Sequence, residues 1–170
     1  LPSPKVIMQA LAEVKPSVVI AVPLVIEKIY KSKVKPVLEK EGIKFLMKVP
    51  GLNQVVLNKV KAELINAFGG EFYEVIIGGA AFNKEVEAFF KKMRFPFTVG
   101  YGMTECAPII TYDDWKEEKL YSCGKAAPNM EVRIASADPA NIPGEIQIKG
   151  ANVFLGYFKN EEATAEVLTE

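Results

Sequence analysis

A chain of 170 residues with 49% hydrophobic and 25% charged residues has the length and composition of one globular domain, or of one domain with part of a second. Its 21 basic residues balance 21 acidic ones, so the basic excess of a nucleic-acid binder is missing. There is no histidine, which excludes a Ser-His-Asp triad or a His-rich metal site within the chain.

Ser3-Pro4 reads as a helix start, with Ser3 as N-cap, and Val6, Ile7, Ala10, Leu11 and Val14 form an apolar stripe at helical spacing. Pro16 ends that helix. Ser17–Val22 is short, apolar and β-branched, as in a strand buried on both faces. Pro23 opens a second helix through Tyr30 and beyond. Residues 31–70 are helical and lysine-rich, and the lysines read as a solvated face. Val56, Val60, Leu64 and Phe68 recur every four residues, and Gly69-Gly70 is a helix stop. Phe72–Ile77 reads as a strand. Asn83 is placed to cap a helix whose apolar face is Val86, Phe89, Phe90 and Met93. A third strand, about Phe97 to Val99, follows. This alternation predicts right-handed crossovers and a largely parallel sheet with flanking helices.

After residue 112 the pattern changes. Asp113–Glu118 is polar and reads as a surface connection. Glu131–Ile134 and Glu145–Lys149 alternate and are separated by turn-formers, which predicts antiparallel strands with one wet face. The expected organisation is an α/β subdomain over 1–112, a connection over 113–119, and the start of a β-rich, barrel-like subdomain over 120–170. Cys106 and Cys123 form no CxxC pair, and no signal peptide or membrane-spanning run is visible. These features suggest a cytoplasmic protein with reduced thiols. With no initiator Met, the chain reads as a segment of a longer one.

In a parallel α/β sheet, ligands bind beyond the carboxyl ends of the strands. Two such loops have unusual compositions, Gly78-Gly79-Ala80 and Gly100-Tyr101-Gly102-Met103-Thr104-Glu105. Glycine allows a flat ligand close to the backbone, and a tyrosine ring stacks. A threonine hydroxyl reaches a phosphate oxygen, and a glutamate is a hard ligand for Mg²⁺. Taken alone, however, each loop also serves as an ordinary turn or helix start.

Gly100–Glu105 resembles the Tyr-Gly-x-Thr-Glu signature of the adenylate-forming enzymes, which include acyl-CoA synthetases, luciferases and peptide-synthetase adenylation domains. Ala21-Val22-Pro23 resembles that family's Val-Pro turn, and Gly78-Gly79-Ala80 its adenine loop. Gly124-Lys125 with Pro128 resembles the segment entering the β-rich subdomain. Gly144-Glu145-Ile146, Gly150, Gly156-Tyr157 and Asn160–Thr164 resemble the stretch near the end of the large domain. These matches keep one order along nearly the whole chain.

The resemblance implies that Tyr101 stacks on the adenine of ATP or AMP, with Gly78, Gly79 and Ala80 opposite and Gly100 and Gly102 alongside. Thr104 contacts the α-phosphate and Glu105 holds Mg²⁺. Gly100, Cys106, Ala107 and Pro108 border the acyl pocket, with Cys106 as a small wall residue rather than a nucleophile. The implied reaction joins a carboxylate to the α-phosphorus of ATP, releasing pyrophosphate. The thiol of coenzyme A then displaces AMP. The family's phosphate loop, ribose-binding aspartate and C-terminal catalytic lysine have no counterpart here, so the chain alone is expected to be inactive. The helical 31–70 segment resembles that of long-chain fatty acyl-CoA synthetases. Another carboxylic or amino acid substrate, or a catalytically silent nucleotide-binding relative, are the alternatives. A fatty-acid enzyme would also suit peripheral contact of the full-length protein with the inner membrane face, although no basic amphipathic anchor is present.

Overall fold

The computed structural model describes residues 4–169; the expected cap at Ser3 lies outside them. Helix α1 (Pro4–Val14) ends where Lys15 takes a left-handed conformation, φ 49°, just ahead of Pro16. Strand β1 (Val18–Ala21) leads into α2 (Pro23–Ile29), which has no side-chain cap and starts on its proline. A π-helical turn, Tyr30–Val34, joins α2 to the single turn α3 (Lys35–Leu38). Helices α4 (Glu41–Lys48) and α5 (Leu52–Ala67) complete the lysine-rich segment. Strand β2 (Glu74–Ile77), helix α6 (Lys84–Lys92) and strand β3 (Phe97–Val99) follow. The Asn83 side chain caps α6, accepting from the backbone N–H groups of Glu85 at 3.0 Å and Val86 at 3.2 Å.

Strands β1, β2 and β3 form a parallel sheet in that order, with Val19 opposite Val75 and Val75 opposite Phe97. One face, carrying Val19, Val75, Ile77, Phe97 and Val99, packs on α2, α5 and α6. Val56, Val60, Leu64 and Phe68 are all buried there, as their spacing predicts. The centre of this core is aromatic. Phe90 is fully buried and meets Tyr30, Phe82, Phe95 and Phe97, with ring centroids 4.8–6.4 Å apart.

Two expectations are corrected. β1 is not buried on both faces: Val19 points into the core, but Ile20, on the opposite face, is 77% exposed. β1 is the sheet's edge, and no element of the described residues covers that side of it. The stripe on α1 is likewise only partly used, since Leu11 packs against the core while Val14 is 72% exposed.

The chain then makes two antiparallel units. Strands β4 (Tyr101–Gly102), β5 (Ile109–Tyr112) and β6 (Lys125–Ala126) form one, drawing on both sides of the 113–119 connection. Strands β7 (Met130–Ala135) and β8 (Glu145–Gly150) form the other, and α7 (Glu161–Val167) closes the described chain. Along β7 the side chains of Glu131, Arg133 and Ala135 are exposed and Met130, Val132 and Ile134 half-buried, so the expected wet face is present on that strand. β8 departs from the expected alternation, with Ile146 exposed beside Glu145 and Gln147 half-buried beside Ile148.

The connection itself is a further correction. It is not merely a surface loop, because Asp113 and Glu118 are 8% and 5% exposed. The Glu74 carboxylate of β2 accepts from the Trp115 N–H at 3.2 Å, and Glu87 of α6 accepts from the Tyr121 N–H. Lys91 of α6 pairs with Glu118. Acidic side chains thereby fasten the segment to the back of β2 and α6. Burial raises the carboxyls of Glu74 and Glu87 above their ordinary range, and the two N–H groups counter this in part.

Candidate nucleotide-binding site

The two glycine-bearing loops leave adjacent parallel strands at the same end of the sheet. The Gly78 N–H donates to Ala21 O at 3.2 Å and the Gly100 N–H to Ile77 O at 2.9 Å, so each extends its ladder by one bond. The backbones come so close that a Cβ on Gly78 would lie 3.2 Å from Gly100 O. Beyond this meeting point Gly79 and Ala80 are exposed and Tyr101 is half-buried. The sheet thus ends in a narrow step of bare backbone with one aromatic side chain beside it.

Tyr101 and Gly102 turn the chain into the β4–β5 hairpin, whose tip is a single 3₁₀ turn, Thr104–Cys106. The tip closes by Met103 N–H to Pro108 O at 2.9 Å and Cys106 N–H to Met103 O at 3.0 Å, with Ala107 left-handed at φ 54°. Gly102 is required here by close approach. A Cβ at that position would stand 2.0 Å from Pro108 O. This geometry exposes Thr104, leaves Glu105 partly exposed, and buries Cys106 at 3% exposure. Ala107 and Pro108 lie on the outside of the tip.

The β-rich half holds this tip in place. Phe154 N–H donates to Glu105 O at 2.8 Å, the Asn152 amide donates to Cys106 O at 2.5 Å, and the Tyr157 hydroxyl donates to Glu105 Oε1 at 2.7 Å. The Tyr157 hydroxyl, helped by the backbone N–H of Glu105, holds the Glu105 carboxyl below the usual range. Burial, with the Glu105 charge adding to it, pushes the Cys106 thiol up. A protonated, enclosed thiol is a poor nucleophile.

Among the described residues no three His, Cys, Asp or Glu side chains gather into a metal cage. A lone, partly exposed carboxylate instead fits Mg²⁺, which keeps waters and takes the rest of its ligands from substrate phosphates. Sequence reasoning named Gly78, Gly79, Ala80, Gly100, Tyr101, Gly102, Thr104 and Glu105, and the structure brings Gly78 and Gly100 together and sets Thr104–Glu105 at the tip. It did not single out Asn152 or Phe154, which hold that tip from about fifty residues away and have no local signal.

A sequence profile of the AMP-binding enzyme family matches residues 1–158. Long chain acyl-CoA synthetase 5 of Arabidopsis thaliana is 30% identical over 196 aligned positions, covering 98% of this chain and 29% of that protein. Long-chain-fatty-acid–CoA ligase FadD15 of Mycobacterium bovis is 27% identical, covering 98% and 30%. 4-Coumarate–CoA ligase-like 4 of Oryza sativa subsp. japonica is 38% identical over 109 residues, covering 59% of this chain and 20% of that one. Among solved structures, o-succinylbenzoate CoA synthetase of Bacillus subtilis in complex with ATP and a magnesium ion matches with a TM-score of 0.64 at 20% identity, covering 99% of this chain and 30% of that one. At that identity the likeness is one of fold. The chain spans about 30% of the length of the relatives and structures it matches along its whole length. Profile, relatives and fold agree, and the chain belongs to the family of AMP-binding enzymes.

Proposed function

We propose that this chain carries the adenine-facing and metal-facing loops of an ATP-dependent acyl-CoA synthetase whose acid is a long-chain fatty acid. The observation that carries this reading is the convergence of Gly78 and Gly100 at the sheet end, continuous with a hairpin tip presenting Thr104 and Glu105. In support of the fatty acid, the likeness to long-chain synthetases extends over 98% of the chain, the helical 31–70 segment included.

On this reading, the backbone of Gly78, Gly79 and Ala80 forms one wall for adenine and the Tyr101 ring the other. Thr104 donates its hydroxyl to an α-phosphate oxygen. Glu105 holds Mg²⁺, which supplies positive charge against the phosphates when bound. The substrate carboxylate attacks the α-phosphorus and pyrophosphate leaves; the coenzyme A sulfur then attacks the acyl carbon and AMP leaves. The chain orients and stabilises these partners without a covalent nucleophile of its own. Gly100, Cys106, Ala107 and Pro108 border the acyl group, and the buried Cys106 thiol stays out of the chemistry.

An aromatic acid is the second reading, favoured by the 38% identity to the 4-coumarate ligase-like protein. The test is ATP–pyrophosphate exchange and thioester formation by the full-length protein carrying this segment. The acids run from acetate through palmitate and oleate to 4-coumarate and amino acids, with Glu105→Ala as control. Thioesters of long acids, lost in the variant, support the first reading. Preference for 4-coumarate moves the protein to the second. No exchange with any acid by a folded protein refutes both, in favour of a silent nucleotide-binding relative.

A further inference from the structure

The stretch Gly156–Thr164 lies outside the loops assigned to nucleotide and acid, yet its side chains form a connected scaffold ending on Glu105. Asn160 caps α7, accepting from the Ala163 N–H at 3.1 Å. The Thr164 hydroxyl, one turn on, donates to Asn160 O at 2.7 Å and accepts from the Tyr157 N–H at 2.9 Å. Gly156 sits against that same threonine with φ +140°, where a Cβ would lie 2.8 Å from Thr164 Cγ2. The Phe154 ring meets the Tyr157 ring edge-on at 4.9 Å. Backbone, hydroxyl and ring contacts therefore all fix the direction of Tyr157, and its hydroxyl donates to Glu105 Oε1. Among the described residues no other side chain donates to that carboxylate.

We infer that Tyr157 is a positioning residue: its hydroxyl, fixed by the Asn160–Thr164 scaffold, holds the Glu105 carboxylate in the orientation in which it takes up a divalent cation with the nucleotide. The inference rests on the metal role proposed for Glu105. A glutamate at the tip of a one-turn hairpin would otherwise sample several rotamers, and ordering it beforehand removes that loss from the binding step. Hydrogen-bond partners of metal-binding carboxylates set affinity by about 10- to 100-fold. The lower end suits an ion that also binds phosphates.

The test uses the full-length protein carrying this segment, with Tyr157→Phe and Glu105→Ala. Phenylalanine keeps the ring contact with Phe154 and deletes only the donor, and the thermal midpoint of each variant is measured alongside. Mn²⁺ affinity of the enzyme–ATP complex is read by electron paramagnetic resonance, and the Mg²⁺ dependence of pyrophosphate exchange by titration. The expected result is Mn²⁺ binding about 10-fold weaker in Tyr157→Phe, a matching rise in the half-saturating Mg²⁺ concentration, and an unchanged KM for the acid. Weakened binding in Glu105→Ala with wild-type binding in Tyr157→Phe overturns this inference and leaves the Glu105 role standing. Unchanged binding in both variants overturns the two together. A Tyr157→Phe defect that raises the acid KM equally and leaves Mn²⁺ affinity alone also overturns it, because that pattern marks a general loosening of the fold.

Discussion

Gly102→Ala is the sharpest probe of the hairpin tip. The added carbon would stand 2.0 Å from Pro108 O and 2.8 Å from Pro108 C, both backbone atoms with no side chain to swing aside. Ordinary carbon contact begins near 3.4 Å, so the two strands must part by about 1.4 Å, and the Met103-to-Pro108 bond across the same gap stretches with them. Overpacking of this kind costs about 1–3 kcal/mol. A displacement above 1 Å in a group that positions substrate costs about 100-fold in rate. The expected result is a pyrophosphate-exchange rate down by about 100-fold in a full-length protein that still melts cooperatively. Gly42→Ala is the matched control, since nothing lies within 4 Å of its added carbon. A Gly102→Ala enzyme within about threefold of wild type would refute the argument that this close approach sets the tip.

Phe90→Ala empties the centre of the aromatic cluster and should lower stability by about 3–5 kcal/mol in urea denaturation; a loss under about 2 kcal/mol would mean that Tyr30, Phe82, Phe95 and Phe97 close the gap. Asn83→Ala removes the acceptor for two α6 N–H groups and should cost about 1 kcal/mol, whereas Asn83→Asp, which keeps an acceptor, should cost far less in the same assay. Glu87 has its carboxyl raised in the folded chain by burial. Its contribution is therefore greatest below the unfolded carboxylate value and declines as pH rises through the folded one. Denaturation of wild type and Glu87→Gln at about pH 4, below the unfolded carboxylate value, and at about pH 7 should show the wild type losing ground to the variant at the higher pH; a gap that does not change between them would contradict the assignment.

Much of the fold could be read locally because its signals are local. The α5 face of Val56, Val60, Leu64 and Phe68 needs only helical spacing, and Asn83 needs only the two residues after it. The glycine-rich ends of β2 and β3 announce themselves by composition. What escaped has long-range causes. Nothing near Asp113 or Glu118 shows that Glu74, Glu87 and Lys91 wait to bind their segment, so a polar run looked merely solvated. A stripe of apolar residues likewise does not say whether a partner lies against it, and α1 and β1 leave Val14 and Ile20 in water. Thr104 and Glu105, which the fold sets at the hairpin tip, stand out in the sequence through one short motif. The donor that holds Glu105 is 52 residues further on and has no spacing rule to betray it.

The β4–β5 tip is held from two directions, by Pro108 within its own hairpin and by Asn152, Phe154 and Tyr157 from the strap after β8. For anyone recombining relatives, this makes the region from about residue 97 to residue 164 a single inheritance unit. A junction drawn through the polar stretch at 113–119, where the chain looks easiest to cut, would pair one parent's tip with the other parent's strap. Junctions placed before β3 or beyond Thr164 keep the donors and acceptors of one lineage together, and such chimeras should retain the thermal stability of whichever parent supplied the block.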